Sequence, residues 1–284
     1  MADQSRPSLL QLIFTVRGSV ILKIMPRVMV MTAFAILVVL AARRWPAIFA
    51  PLNPAPFTLF GIALSIFMSF RNSACYDRWW EGRKLWGALL LEVRSLARQC
   101  QGLPDEVRRR ILRDVCGFAL VLAAQLRGDD AIAAARGWTE APLDDRVSIP
   151  DALLADAGSA CLQAQRDGVL DGWRMQLIEA RLTALSAVQA GCERIRNTPI
   201  PFAYRLLLHR TAALFCLMLP FGLAHAFGYA APVFVMVISY AFFGLDALGD
   251  ELEDPFGREA NDLPIDLMAA GIEREVRAWL AVKG

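Results

Sequence analysis

Between Thr211 and Leu245 the chain runs for 35 residues without one Asp, Glu, Lys or Arg. Such a stretch is out of place in a water-facing fold and suited to hydrocarbon. A helix rises about 1.5 Å per residue and the bilayer core is about 30 Å thick, so about 20 residues make one span. With Gly228-Tyr229-Ala230-Ala231-Pro232 near its middle, the window reads as a hairpin of two spans that borrow a few interfacial residues. Two more charge-free windows precede it, Val28–Ala42 between Arg27 and Arg43, and Trp45–Phe70. The first is short, but its flanking arginines can snorkel to the interface. These windows predict four transmembrane helices.

The rest of the chain is different. Overall 56% of the 284 residues are hydrophobic, yet 20% are charged, so the two kinds are segregated along the sequence. That excludes a disordered chain, a collagen-like repeat and an ordinary cytosolic globule. Residues 71–210 carry 20 basic and 17 acidic side chains, the charge density of a soluble domain. Apolar residues recur there at helical spacing, as in Leu85, Leu89, Val93, Leu96 and in Ile111, Val115, Phe118, Leu122. Gly102-Leu103-Pro104-Asp105 reads as a helix stop and start, and Ser148-Ile149-Pro150-Asp151 as another start. Asp129–Asp145 reads as a polar connector, and a further helix is predicted from Trp173 to Arg196. Neither strand alternation nor an internal repeat is visible. The fold class is therefore all-α: an integral membrane protein with four transmembrane helices plus a helical cytoplasmic domain. The expected layout is an N-terminal amphipathic arm (1–27), transmembrane helices 1–2 (28–70), the helical domain (71–210), transmembrane helices 3–4 (211–249) and a cytoplasmic tail (250–284).

Basic residues flank the spans unevenly. Arg6, Arg17, Lys23 and Arg27 lie on the arm, Arg71, Arg78, Arg83 and Lys84 follow span two, and Arg194, Arg196, Arg205 and Arg210 precede span three. The positive-inside rule then puts both termini and the middle segment in the cytoplasm, against a minority of Arg43 and Arg44. Arg17 and Lys23 interrupt the apolar run that a cleavable signal peptide would need. A net charge of +2 gives no footprint for nucleic acid. The six cysteines are scattered, with no C-x-x-C pair, so a zinc site and a disulfide framework are not expected and the thiols read as reduced and buried.

Catalytic patterns are missing. Only His209 and His225 occur, and there is no Gly-x-Ser-x-Gly or Walker-type loop, so neither an enzyme nor a cofactor is expected. His225 is placed near the outer interface. Span two offers more. Ile62, Ile66 and Phe70, spaced i, i+4, i+8, fall within about 80° of one another on a helix, with Ser65 and Ser69 beside them. Such a stripe either packs in an apolar helix or, repeated around a ring of identical subunits, forms a constriction that gates by dewetting. Downstream, Arg78-Trp79-Trp80-Glu81-Gly82-Arg83 with Trp86 suits an aromatic anchor at the membrane interface. Near the end, Asp250-Glu251-Leu252-Glu253-Asp254-Pro255-Phe256-Gly257 clusters carboxylates that could hold a hard cation, without the spacing of an EF-hand loop.

Taken together, the Ile62, Ile66, Phe70 stripe, Arg78-Trp79-Trp80-Glu81, Ile200-Pro201-Phe202-Ala203-Tyr204, and Asp254-Pro255-Phe256-Gly257 with Asn261-Asp262-Leu263-Pro264 resemble the bestrophin family of membrane channels, its bacterial branch in particular. The resemblance covers nearly the whole chain. It implies a homopentamer around a central pore in the bacterial inner membrane, with lipid and monovalent ions as the other partners. Ile62, Ile66 and Phe70 would form the neck. A second constriction, at the cytoplasmic exit, would fall on Ala180, where a small side chain leaves the exit wide. Animal members follow the Pro-Phe-Gly turn with an unbroken acidic run that grips calcium. Here Arg258, Glu259, Ala260, Asn261 and Asp262 keep only Glu259 and Asp262 as an ion-binding remnant, which argues against calcium activation.

An apolar neck carries no sign of its own, so selectivity must come from charges in the vestibule and mouths. Asp77 and Glu179 would favour cations, whereas Arg174 and Arg181 on the same helix as Glu179 could do the reverse. The charges leave both signs open, but the bacterial members that this chain resembles lean towards cations, so the resemblance implies a preference for sodium or potassium, with a chloride channel of the same architecture as the alternative. A secondary transporter would show repeats, broken helices and midplane charges. A non-conducting membrane scaffold is the remaining reading from another class.

Overall fold

The computed structural model describes residues 18–46, 53, 55–139, 142–143 and 146–281; the arm expected at 1–27 lies outside them up to residue 17. Among the described residues every regular element is helical. Three helical stretches among the described residues are long and apolar enough to cross a membrane: Ile21–Arg44, Ala55–Gln99 and Phe202–Glu253. The chain divides into two compact units. One holds the residues up to Arg78 with Pro199–Glu253 and Glu259–Asn261; the other holds Trp79–Thr198, Asp254–Arg258 and the residues from Asp262 on.

The first unit contains α1 (Ile21–Arg44), the opening half of α2 (Ala55–Gln99), α7 (Phe202–Phe227) and α8 (Ala231–Glu253). Helix α1 starts seven residues before the charge-free window, and Lys23 in its first turn pairs with Glu251. Its buried residues Ile24, Val28, Ala35, Val38 and Ala42 fall on one 3.6-period stripe that packs along α7 and α8. Two hydroxyls in these apolar helices are satisfied locally: Thr32 donates to the Val28 carbonyl at 2.8 Å and Ser65 to that of Gly61 at 2.8 Å. Between α7 and α8 lies one 3-10 turn, Gly228–Ala230. The break expected there is real, and Gly228 makes it by taking φ +55°, a left-handed conformation that a Cβ would strain.

The second unit contains the rest of α2, α3 (Asp105–Arg127), α4 (Ala131–Ala135), α5 (Ile149–Arg166), α6 (Gly172–Asn197) and α9 (Ile265–Ala281). Helix α3 is its centre, packed by α5, α9 and α4. Ile111, Val115, Phe118 and Leu122, the predicted stripe, are fully buried, as are Leu89, Val93 and Leu96 of α2. Leu85 is only partly buried and rests on Gly191 of α6, where a Cβ would meet it at 2.8 Å. Helix α3 begins at Asp105 behind Pro104, as the turn residues require. Asp171 caps α6 by accepting from the Arg174 amide at 2.9 Å. Ser148 precedes α5 without capping it, its hydroxyl accepting from Gln189 at 3.1 Å instead.

The two units meet in sequence at 78/79 and 198/199, with α2 running unbroken past Phe70 and Arg71 bonding back to α8. Beyond Asp250, α8 continues to Glu253, and α9 packs on α3. Trp86 is a core residue, and Trp79 packs against the same core, so of the expected aromatic anchor only Trp80 is exposed. All six cysteines are free and buried. Burial pushes the thiols of Cys100 and Cys192 up to about 12 and that of Cys161 up to about 11, which keeps them protonated and unreactive.

Candidate functional site

The opening half of α2 has two faces of opposite character. On one, Gly61 sits against the Phe215 ring, and Leu64 and Met68 are 4% and 1% exposed in the cluster shared with α1, α7 and α8. Arg71 and Cys75 continue that face. At 100° per residue these positions centre on the side opposite Ile62, Ile66 and Phe70. Those three are 55%, 50% and 64% exposed. The stripe is therefore not the packing face of this helix within the chain. Asp77 is exposed and falls in the same angular sector, two turns beyond Phe70.

Directly beneath the stripe, the packed face carries a charge cluster that the sequence reading passed over. Arg71 has no exposed side-chain surface. Its Nη1 donates to Asp246 Oδ1 at 2.8 Å, its Nη2 to Asp250, and Glu253 Oε2 lies 3.6 Å away. His209 of α7 holds the other oxygen of Asp246, Nδ1 to Oδ2 at 2.5 Å. Asn72 donates to the Leu245 carbonyl at 3.1 Å and Arg78 to that of Glu253 at 3.2 Å. Gly249 makes this approach possible: a Cβ there would come within 2.6 Å of Asn72 Oδ1 and 3.3 Å of the Arg71 guanidinium. His209, Asp246 and Asp250 could bring three ligand atoms within 4.8 Å of one another, but the cation among them is Arg71 itself. One signal was available in sequence: Arg71 and Asp246 are the first charges beyond Phe70 and beyond the 35-residue window.

The remnant acids part company. Glu259 belongs to the first unit, where Lys23 Nζ lies 2.8 Å from its carboxylate and 2.8 Å from that of Glu251. Asn261 donates to the second oxygen of Glu251 at 2.6 Å. The acid cluster thus holds an ammonium supplied by the chain. Asp262 belongs to the second unit, where its carboxylate crowds Gly257 with that of Asp254.

On α6, Glu179 and Ala180 are both exposed. Glu179 lines a cleft of about 430 Å³ with Asp151, Ser159 and Thr183. The competing arginines are engaged elsewhere: Arg181 with Glu92 of α2 at 2.9 Å, and Arg174 with the Gln101 carbonyl at 3.0 Å. Among the described residues Glu179 has no cation partner. His225 is exposed near the end of α7.

Comparison with known proteins places this geometry. A family model described as "Bacterial/Fungal Bestrophin protein" matches residues 1–278. The chain is 44% identical over 271 residues to the voltage-dependent anion channel-forming protein mll4386 of Mesorhizobium japonicum, covering 94% of this chain and 88% of that one. It is 40% identical over 270 residues to the voltage-dependent anion channel-forming protein YneE of Escherichia coli K12, covering 93% and 89%. Among solved structures, a bacterial bestrophin homologue from Klebsiella pneumoniae superposes with a TM-score of 0.87 at 36% identity, over 92% of this chain and all of that one. The chain belongs to the bestrophin family.

Proposed function

We propose that the protein is the subunit of a homopentameric channel that conducts monovalent ions through a hydrophobic neck of Ile62, Ile66 and Phe70. Bestrophins are ion channels and not enzymes. The observation that carries the reading is the two-faced α2. Its packed face is occupied by Leu64, Met68 and Arg71, so three bulky apolar side chains in a row are left pointing away from the chain's own core. A ring of such helices makes a narrow apolar passage in which water and ions are disfavoured until it widens. In this reading α1, the opening of α2, α7 and α8 cross the inner membrane as four spans. The helical unit from Trp79 on and both termini lie in the cytoplasm, and Ala180 faces a wide exit.

The sign of the ion has support on both sides. Relatives at about 40% identity carry the name voltage-dependent anion channel-forming protein, which favours an anion. A cation preference is the second reading, and it rests on Asp77 sharing the sector of the stripe and on Glu179 lacking a cation partner while Arg174 and Arg181 are engaged. Recording from purified protein in a bilayer under a tenfold sodium chloride gradient tests both levels. A current no larger than that of the empty bilayer sinks the channel and leaves a scaffold. A reversal potential with the sign of the chloride equilibrium potential selects the anion reading, and one with the sign of sodium selects the cation reading.

A further inference from the structure

Within the second unit, the last turns of α2, the loop that follows it, the start of α3 and the end of α9 enclose a cleft of about 820 Å³. That volume, and a wall that combines apolar surface with a set of charged side chains, suit a small-molecule site. Leu103 and Leu112 form buried parts of the wall, Val169 is an exposed part of it, and Trp279 lines it from α9.

Three arginines reach the cleft, and they are not equivalent. Arg94 is gripped by both carboxylate oxygens of Glu275, at 2.8 and 2.5 Å. Arg108 is held by Asp105 at 2.8 Å and by the Trp279 carbonyl at 3.1 Å. Arg98 is exposed, and among the described residues its guanidinium donates only to Ser95 Oγ at 3.1 Å, one turn back on its own helix. One of the three cations therefore faces the cleft without a carboxylate.

We propose that this cleft binds an aromatic monocarboxylate, its carboxylate on the fork of Arg98 and its ring between Trp279 and the Leu103–Leu112 wall. One uncompensated guanidinium calls for one negative charge, and its planar donors match a carboxylate two-to-two. A second anionic group would have to sit against aliphatic wall or beside Asp105. A flat, rigid body loses little freedom on entering the slot, and an indole wall gives it a ring partner.

Equilibrium dialysis of 2-naphthoate against the full chain in lipid nanodiscs, with empty nanodiscs as baseline, tests the site, and uncharged 2-naphthamide tests the head group. The expected result is saturable binding of one naphthoate per chain, with the amide at least tenfold weaker. Arg98→Gln should weaken naphthoate at least tenfold, Arg98→Lys less, and Val169→Glu in the wall should weaken it by repulsion. Both positions are exposed, so the variants should keep the parent's melting temperature. Binding no greater than the empty nanodisc, equal binding of acid and amide, or an Arg98→Gln variant with unchanged affinity would overturn the proposal.

Discussion

Arg71 brings a full positive charge to a site with no exposed side-chain surface, and it is tolerable there only because Asp246, Asp250 and Glu253 surround it. Desolvating such ions is costly, so the cluster adds little net stability, but removing one partner leaves a buried charge uncompensated. Asp246→Asn should lower unfolding stability by about 3–5 kcal/mol, read as a drop in melting temperature in detergent, while Asp250→Asn, at the more exposed carboxylate, should cost less. The same logic applies to Lys23, whose ammonium neutralises Glu251 and Glu259. Lys23→Met vacates an oxygen-lined anionic site, so calcium chloride should raise the melting temperature of the variant and not that of the parent. A variant indifferent to divalent ions would show that the carboxylates find other partners. None of these pairs was legible in the sequence. Arg71 at the end of an apolar window reads as a solvated flank, and Asp246, its partner, is 175 positions away. The stripe Ile62, Ile66, Phe70 was legible, because its placement needs only the period of one helix.

At the scale of elements, the contrast between the two faces of α2 is a mutational experiment in itself. Leu64 and Met68 lie in a packed cluster, so truncating either to Ala should cost about 2–5 kcal/mol, the range for a large side chain removed from a core. Ile66→Ala removes no contact of that kind. It should leave the unfolding free energy within about 1 kcal/mol of the parent and raise single-channel current or open probability. The reverse pattern, a destabilised Ile66→Ala with unchanged current, would make the stripe a packing surface between subunits. Helix α9 offers a pH test. Arg94 holds the Glu275 carboxyl below its ordinary range through their hydrogen bonds and charge, against a smaller opposing effect of burial. A carboxyl with a depressed value stabilises the fold above its unfolded value near 4.5 and loses that contribution as pH falls through the folded one. Amide exchange in α9 should therefore accelerate below about pH 4 in the parent, and less so in Glu275→Gln. Element boundaries were readable where turn chemistry marks them, at Pro104-Asp105 and at Gly228. No turn residue marks Arg71, where the helix carries its charge inward instead of ending.

At the scale of the whole molecule, the chain poses a question it cannot answer alone. Its described helices leave Ile62, Ile66 and Phe70 exposed beside other apolar surface on α1, α7 and α8, and a single α2 encloses nothing. Apolar surface on α7 and α8 can be covered by lipid or by a neighbour without further consequence. The stripe is different, because it is continuous along α2 with Ser73 and Asp77 in the same sector, and a carboxylate on a lipid-facing line carries a desolvation cost that a water-filled axis does not. Closing a ring puts the apolar part at the constriction and the polar part at its wet mouth. Such rings close under cyclic symmetry, and five copies is the number that the family resemblance implies. The mass of the complex in mild detergent, corrected for bound detergent, should then be five times 31.4 kDa. Asp77→Lys should leave that mass unchanged and move the reversal potential towards the chloride value. A monomer or dimer under conditions that preserve the fold would remove the central pore. A pentamer whose reversal potential ignores Asp77 would keep the pore and take this residue off its axis.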